Sequence, residues 1–173
     1  MTQLNMTEVA KRLDGANIPL TIADARHSDM PLCYVNPAFC STTGYATDQV
    51  IGKNCRFLQG DLENDTARLK MRRGLAQKTG LQVIFRNKRA DGSIFDNLVI
   101  IEPLTDHDGE LLYVVGSQFV LKDGIKTDHA ATAGEGIVRE IDKLLQLNER
   151  LRATSRQALA RSMAASVKLW LER

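Results

Sequence analysis

The chain has 173 residues, 43% of them hydrophobic, with 23 basic and 21 acidic side chains for a net charge of +2. That is enough apolar material for one ordinary domain plus extra helices, and the near-cancelled charge excludes the one-sided field of a general nucleic-acid or membrane-surface binder. No apolar run approaches a bilayer span, the start Met1 to Arg12 lacks the charged-then-apolar order of an export signal, and the three cysteines and three histidines have neither a CxxC pair nor metal-ligand spacing; the sequence therefore predicts a soluble, cytoplasmic protein with free thiols and no metal.

In chain order, Asn5 with Glu8 offers a helix start, and Met6, Val9, Ala10 and Leu13 repeat at helical spacing until Asp14-Gly15. This is an N-terminal helical cap over residues 1–17. Leu20 to Ala23 and Leu32 to Val35 read as strands of a hairpin, with Pro31 and polar residues between them. From Asn36-Pro37 to Ala76 the pattern turns helical, with Pro37 at a first helical position, Gly44 as a stop, and helical spacing from about Ala67 to Ala76. Strands return at Gln82 to Asn87, Ile94 to Pro103 and Glu110 to Leu121, joined by Ala90-Asp91-Gly92-Ser93 and Asp106-His107-Asp108-Gly109, whose Asp-Gly steps favour turns with positive φ. Two strands, a helical middle and three strands give an α+β plan, a five-stranded antiparallel sheet with helices on one face.

Residues 123–133 are rich in glycine, charged and small residues and read as a linker. Residues 134–173 read as a helical extension, most simply a hairpin of two helices. Ile137, Ile141, Leu144, Leu145 and Leu151 trace one apolar stripe, Leu159, Met163, Val167, Trp170 and Leu171 a second, and a single continuous helix is the alternative.

The stretch from Gly52 to Gly60 reads Gly-Lys-Asn-Cys-Arg-Phe-Leu-Gln-Gly, a thiol set beside two amides and a guanidinium. It closely resembles the Gly-x-Asn-Cys-Arg-Phe-Leu-Gln-Gly signature of the LOV (light-oxygen-voltage) domains of the PAS superfamily. The likeness runs without insertion or deletion from about Ile18 to Val120, inside a sensor domain over residues 18–122, and the order of elements is that of a PAS fold.

The resemblance implies a bound flavin and a set of residues around it. Cys55 corresponds to the photoactive cysteine, a soft nucleophile that bonds reversibly to the flavin C4a after light absorption and need not be ionised beforehand. Arg56 and Arg72 match the arginines that hold the terminal phosphate; Arg73 competes with Arg72, and the spacing from Cys55 favours Arg72. Asn54 and Gln59 match ribityl and ring contacts. Asn87 and Asn97 match the amides that pair with the pyrimidine edge, although Asn87 also reads as a turn residue. Gln118 matches the glutamine that reads the flavin N5, with an outward-facing strand position as the competing reading. The short loop from Gly60 to Glu63 leaves no insertion for an adenine end, so the expected cofactor is FMN. Lys53, Val99 and Ala23 depart from the commoner residues; the last two bear on packing at the flavin. Cys33 and Cys40 read as small apolar groups.

The function implied is a blue-light photoreceptor that is not an enzyme. Only helical sequence follows the sensor, so the output expected is through contacts, with flanking helices covering the outer sheet face and forming a homodimer whose assembly responds to light. A tail with eight basic and five acidic residues after position 133 raises light-regulated DNA binding as an alternative, but the charges are spread around the helices as on a solvated face. A redox-sensing flavoprotein is the other alternative, and nothing resembles a nicotinamide site or an acid-base pair.

Overall fold

The computed structural model describes residues 4–121, 154 and 156–169. Helix α1 spans Met6–Leu13 and starts at Asn5, whose side-chain oxygen accepts from the Thr7 and Glu8 amides, while Val9 and Leu13 form its buried face. Strands β1 (Leu20–Asp24) and β2 (Leu32–Val35) pair antiparallel as expected. Pro37 opens α2 (Pro37–Thr43), where its missing N–H costs nothing, and Gly44 closes it at φ 77°, a left-handed position that a side chain disfavours. Helix α3 (Thr47–Val50), a 3-10 turn (Cys55–Gln59) and α4 (Asp65–Ala76) complete the helical middle. Strands β3 (Leu81–Lys88) and β4 (Ile94–Thr105) run a residue or two beyond their sequence limits, β5 (Leu111–Leu121) starts one residue later than expected, and Gly92 and Gly109 take the expected positive φ in the turns between them.

All neighbouring strands are antiparallel, in the spatial order β2-β1-β5-β4-β3. The two halves of the sequence thus meet along β1 and β5, where Thr21 faces Gly116 and Ala23 faces Val114. Because side chains alternate across a strand, register assigns every residue to one of two faces. Ala23, Leu32, Val35, Phe85, Asn87, Asn97, Val99, Val114, Gly116 and Gln118 lie on the inner face, toward α2, α3, the 3-10 turn and α4. Leu20, Ile22, Tyr34, Leu104, Tyr113 and Val115 lie on the outer face, where α1 packs.

Residues 156–169 form a helix, α5, that packs on the same outer face. Ala164 and Val167 join Leu4, Val9, Ile22 and Tyr113 in one cluster, with Met163 against it. This places the helix on the outer sheet face, as expected of the flanking helices, and corrects one detail of the second apolar stripe. Its buried edge is set by Ala160 and Ala164 with Val167, whereas Leu159 is 43% exposed, because small side chains let the helix backbone approach the sheet where leucine stands at the rim. Two polar contacts add to this docking: Arg156 lies 5.5 Å from the Phe119 ring centroid, and Arg161 Nε is 3.8 Å from Glu102 Oε1. Burial raises the Glu102 carboxyl above its ordinary range, and Arg161 partly offsets this. The linker, the first apolar stripe, and Trp170 and Leu171 lie outside the described residues.

Candidate functional site

A cavity of about 450 Å³ lies between the inner sheet face and the helical middle, within the range of small-molecule sites. Each wall has a sequence reason. The period-2 alternation of β3, β4 and β5 delivers Asn87, Asn97 and Gln118 to one face; the 3-10 turn, capped by the Asn54 side chain on the Arg56 amide, delivers Cys55 and Gln59; and α4 delivers Arg68, Met71, Arg72 and Leu75. Gly116 is a close approach in the sheet wall, since a Cβ there would lie 2.6 Å from Thr21 Oγ1.

All eight residues singled out from the sequence line this cavity: Asn54, Cys55, Arg56, Gln59, Arg72, Asn87, Asn97 and Gln118. The competing readings fail for two of them. Asn87 sits inside β3 and is 3% exposed rather than in the turn, and Gln118 is 2% exposed and faces inward. Arg72 lines the cavity and Arg73 does not. Val99 and Ala23, the departures from the commoner pattern, are wall residues as well.

The polar atoms of the inner face form a chain. Asn97 Nδ2 donates to Asn87 Oδ1 at 3.0 Å and to Gln118 Oε1 at 3.1 Å. Asn97 Oδ1 and Gln118 Nε2 are then left as the buried side-chain polar atoms without a partner among the described residues. Elsewhere buried amides are fully used: the Asn36 oxygen accepts from Leu20 N at 2.8 Å and Phe39 N at 3.0 Å, and Asn64 pairs both ways with the Arg86 backbone at 2.9 Å. An unpaired buried donor or acceptor costs about 1–3 kcal/mol, so one of each on a cavity wall marks a surface completed by a ligand with matching groups.

Cys55 is half-buried and opens onto the cavity, and burial pushes its thiol from 9.0 up to about 12. No positive group beside it lowers this value, so the sulfur is a protonated thiol at neutral pH. Cys33 on the other side of β2 is likewise raised to about 11, by burial and then by Asp24, with its Sγ 3.3 Å from the Ile22 carbonyl. Cys40 is half-buried with Sγ 3.4 Å from Thr47 Oγ1.

Cations gather at the cavity mouth. Arg56 is exposed and pairs with Asp29; Arg72 has no ion-pair partner among the described residues. Arg68, which the sequence reading passed over, donates from Nε to Gln59 Oε1 at 2.7 Å and approaches Asp65 at 3.3 Å. Its signal was present in the helical spacing, since Arg68 and Arg72 lie four apart and share a face of α4.

A twisted antiparallel sheet closed on one side by short helices around one polar-edged cavity is the plan of a small-ligand sensor module. The PAS domain profile matches residues 20–123. The crystal structure of a Rhodobacter sphaeroides LOV protein superposes with a TM-score of 0.68 at 35% identity, covering 100% of this chain and 99% of that one. The blue-light photoreceptor of Listeria monocytogenes is 37% identical over 137 residues, 79% of this chain and 52% of the relative. Blue-light-activated histidine kinase 1 of Erythrobacter litoralis is 38% identical over 125 residues, 72% of this chain and 34% of the relative. The chain belongs to the PAS family and, within it, to the LOV proteins. It spans about half the length of the Listeria receptor and about a third of the kinase.

Proposed function

We propose that this chain is a blue-light receptor that holds FMN in the inner-face cavity and signals without catalysing turnover of a substrate. The observation that carries the reading is the pair of orphaned amide atoms, Asn97 Oδ1 and Gln118 Nε2, on the wall of a cavity that also presents the Cys55 thiol. An edge that both donates and accepts, as the pyrimidine side of a flavin does, satisfies what the protein leaves open. The arginines at the mouth suit a terminal phosphate, whose oxygens accept from planar guanidinium forks.

Bound flavin supplies light absorption and, once excited, an electrophilic carbon; Cys55 supplies the sulfur that bonds to it and the proton that accompanies the bond. The protein's own part is to keep that thiol protonated and close at hand. Gln118 is held with its oxygen on Asn97, which turns its Nε2 donor outward from that pair. With a flavin bound, Gln118 would present this Nε2 to an acceptor on the ring edge and, by rotating its amide, could present Oε1 to a donor instead; β5 would carry such a rotation to the outer face. Phe119, its neighbour in the strand, stands under Arg156 of α5. Output through the flanking helices, including light-dependent self-association, is supported by Leu159 and Leu169, which remain 43% and 60% exposed on the docked helix.

The test is an absorption spectrum of the purified chain. Blue light should bleach the flavin bands, darkness should restore them, and Cys55→Ala should retain the pigment and lose the cycle. A colourless protein, or an unchanged spectrum after a flash, overturns the reading. Size-exclusion chromatography of dark and illuminated samples tests the assembly step, and one species under both conditions removes it.

A further inference from the structure

The loop between β1 and β2 carries a carboxylate directly onto one of the mouth arginines. Arg56 Nη2 donates to Asp29 Oδ1, and the same loop is tied down through Asn54, whose Nδ2 donates to the Asp29 carbonyl at 2.5 Å while its oxygen accepts from the Arg56 amide at 2.9 Å. Asn54, Arg56 and Asp29 therefore close a ring of contacts. Ser28 and Met30, on either side of Asp29, line the cavity, and Met30 is held at a left-handed φ of 47°.

The three arginines at the mouth are engaged differently. Arg72 has no partner among the described residues, Arg68 is turned to Gln59 and Asp65, and Arg56 is turned to Asp29. An anion arriving at the mouth meets Arg72 directly but reaches Arg56 by displacing a carboxylate. A neutral ligand that fills the same cavity leaves the Asp29–Arg56 pair alone. Resting on the functional reading above, we propose that Asp29 is a specificity-determining residue: its carboxylate holds Arg56 in the flavin-free chain, is exchanged for the cofactor's phosphate on loading, and so sets how strongly the site prefers a phosphorylated flavin over an unphosphorylated one.

The exchange has a definite sign. Arg56 gains phosphate oxygens and loses one carboxylate, while Asp29 becomes an unpaired negative charge beside a second one. Both partners are well exposed, 59% and 64%, so screening keeps the effect modest. Asn54 keeps its own hold on the loop, so the loop stays seated while the ion pair opens.

The experiment measures FMN and riboflavin affinity by fluorescence quenching on the full chain stripped of flavin, for wild type, Asp29→Asn, Arg56→Ala and the double variant. Asp29→Asn should tighten FMN by about three- to fivefold at low salt, leave riboflavin unchanged, and have no effect on FMN in the Arg56→Ala background. Weaker FMN binding by Asp29→Asn means that Asp29 positions Arg56 for the phosphate, and overturns the proposal, as does an equal change for both flavins or none for either. Wild-type chain that binds neither flavin is a separate result, and it overturns the functional reading itself. Asp29→Ala repeats the test without the amide, and Arg72→Ala, which should weaken FMN without altering the Asp29→Asn gain, confirms that the effect runs through Arg56.

Discussion

The two faces of the sheet are built to different rules, although the same strands supply both. On the outer face Leu20, Ile22, Tyr113 and Val115 are closed over by α1 and α5, and polar groups there are few and paired. On the inner face Asn87, Asn97 and Gln118 are buried just as deeply, yet one acceptor and one donor remain without partners. Around β1 and β5 the outer face is closed and contributes stability, while Ile84 on β3 stays 51% exposed among the described residues. The inner face presents a buried donor and a buried acceptor to the cavity, as a wall that binds a polar-edged ligand requires.

Paired substitutions test that contrast most strongly. Ile22→Ala, at a position with no exposed surface, should lower the unfolding free energy by about 2–5 kcal/mol in urea. Gln118→Leu should leave the flavin-free chain within about 1 kcal/mol of wild type, because it removes an orphaned donor and Asn97 Nδ2 keeps Asn87. It should also uncouple the light-driven absorbance change from any change in assembly. Equal losses of stability in the two variants would break the contrast.

Next in size is Gly116→Ala, whose new methyl meets Thr21 Oγ1 across the cavity wall; a cost of about 1–3 kcal/mol and weaker flavin binding are expected, read from the same melts and from quenching titrations. Alkaline pH gives a smaller and graded effect. The unfolded Cys55 thiol ionises near its ordinary 9.0, whereas the folded one holds its proton to about 12. The unfolded state therefore releases the proton first, and stability that is fully present below pH 9 declines as pH rises toward about 12. Cys55→Ser should flatten that decline in part, with Cys33 accounting for some of the remainder. The smallest effect belongs to the outer face: Arg156→Ala removes a ring contact and should cost about 0.5–1 kcal/mol, visible as faster amide exchange in α5.

Much of this arrangement was legible in the residues because it is local. Strand alternation, the Asn-Pro helix start, Gly44 and the Asp-Gly turns each act within a few positions, and the nine-residue motif is followed after a short loop by the helix that carries Arg72. What the sequence did not disclose depends on which distant residues meet. Asp29 and Arg56 are 27 apart, and nothing near either names the other. Arg68 reads as one more cation on a basic helix until Gln59 is seen against it. Ala160 and Ala164 are buried for being small, a property invisible to a search for large apolar side chains. The direction of the Gln118 amide follows from Asn97, which follows in turn from Asn87, and such a chain needs all three strands in register.

Asn36, wholly buried at the end of β2, has a consequence beyond helix capping. Its nitrogen reaches the carbonyls of Ile18 at 2.8 Å and Ala16 at 3.2 Å, just past α1, while its oxygen holds the Leu20 and Phe39 amides. One side chain thereby rivets the segment leaving the outer-face helix to the first helix of the inner face. Trimming the leader back to Leu20 would strip away the carbonyls that this amide serves, and the scar would open at the base of α2, on the opposite side of the sheet from the cut.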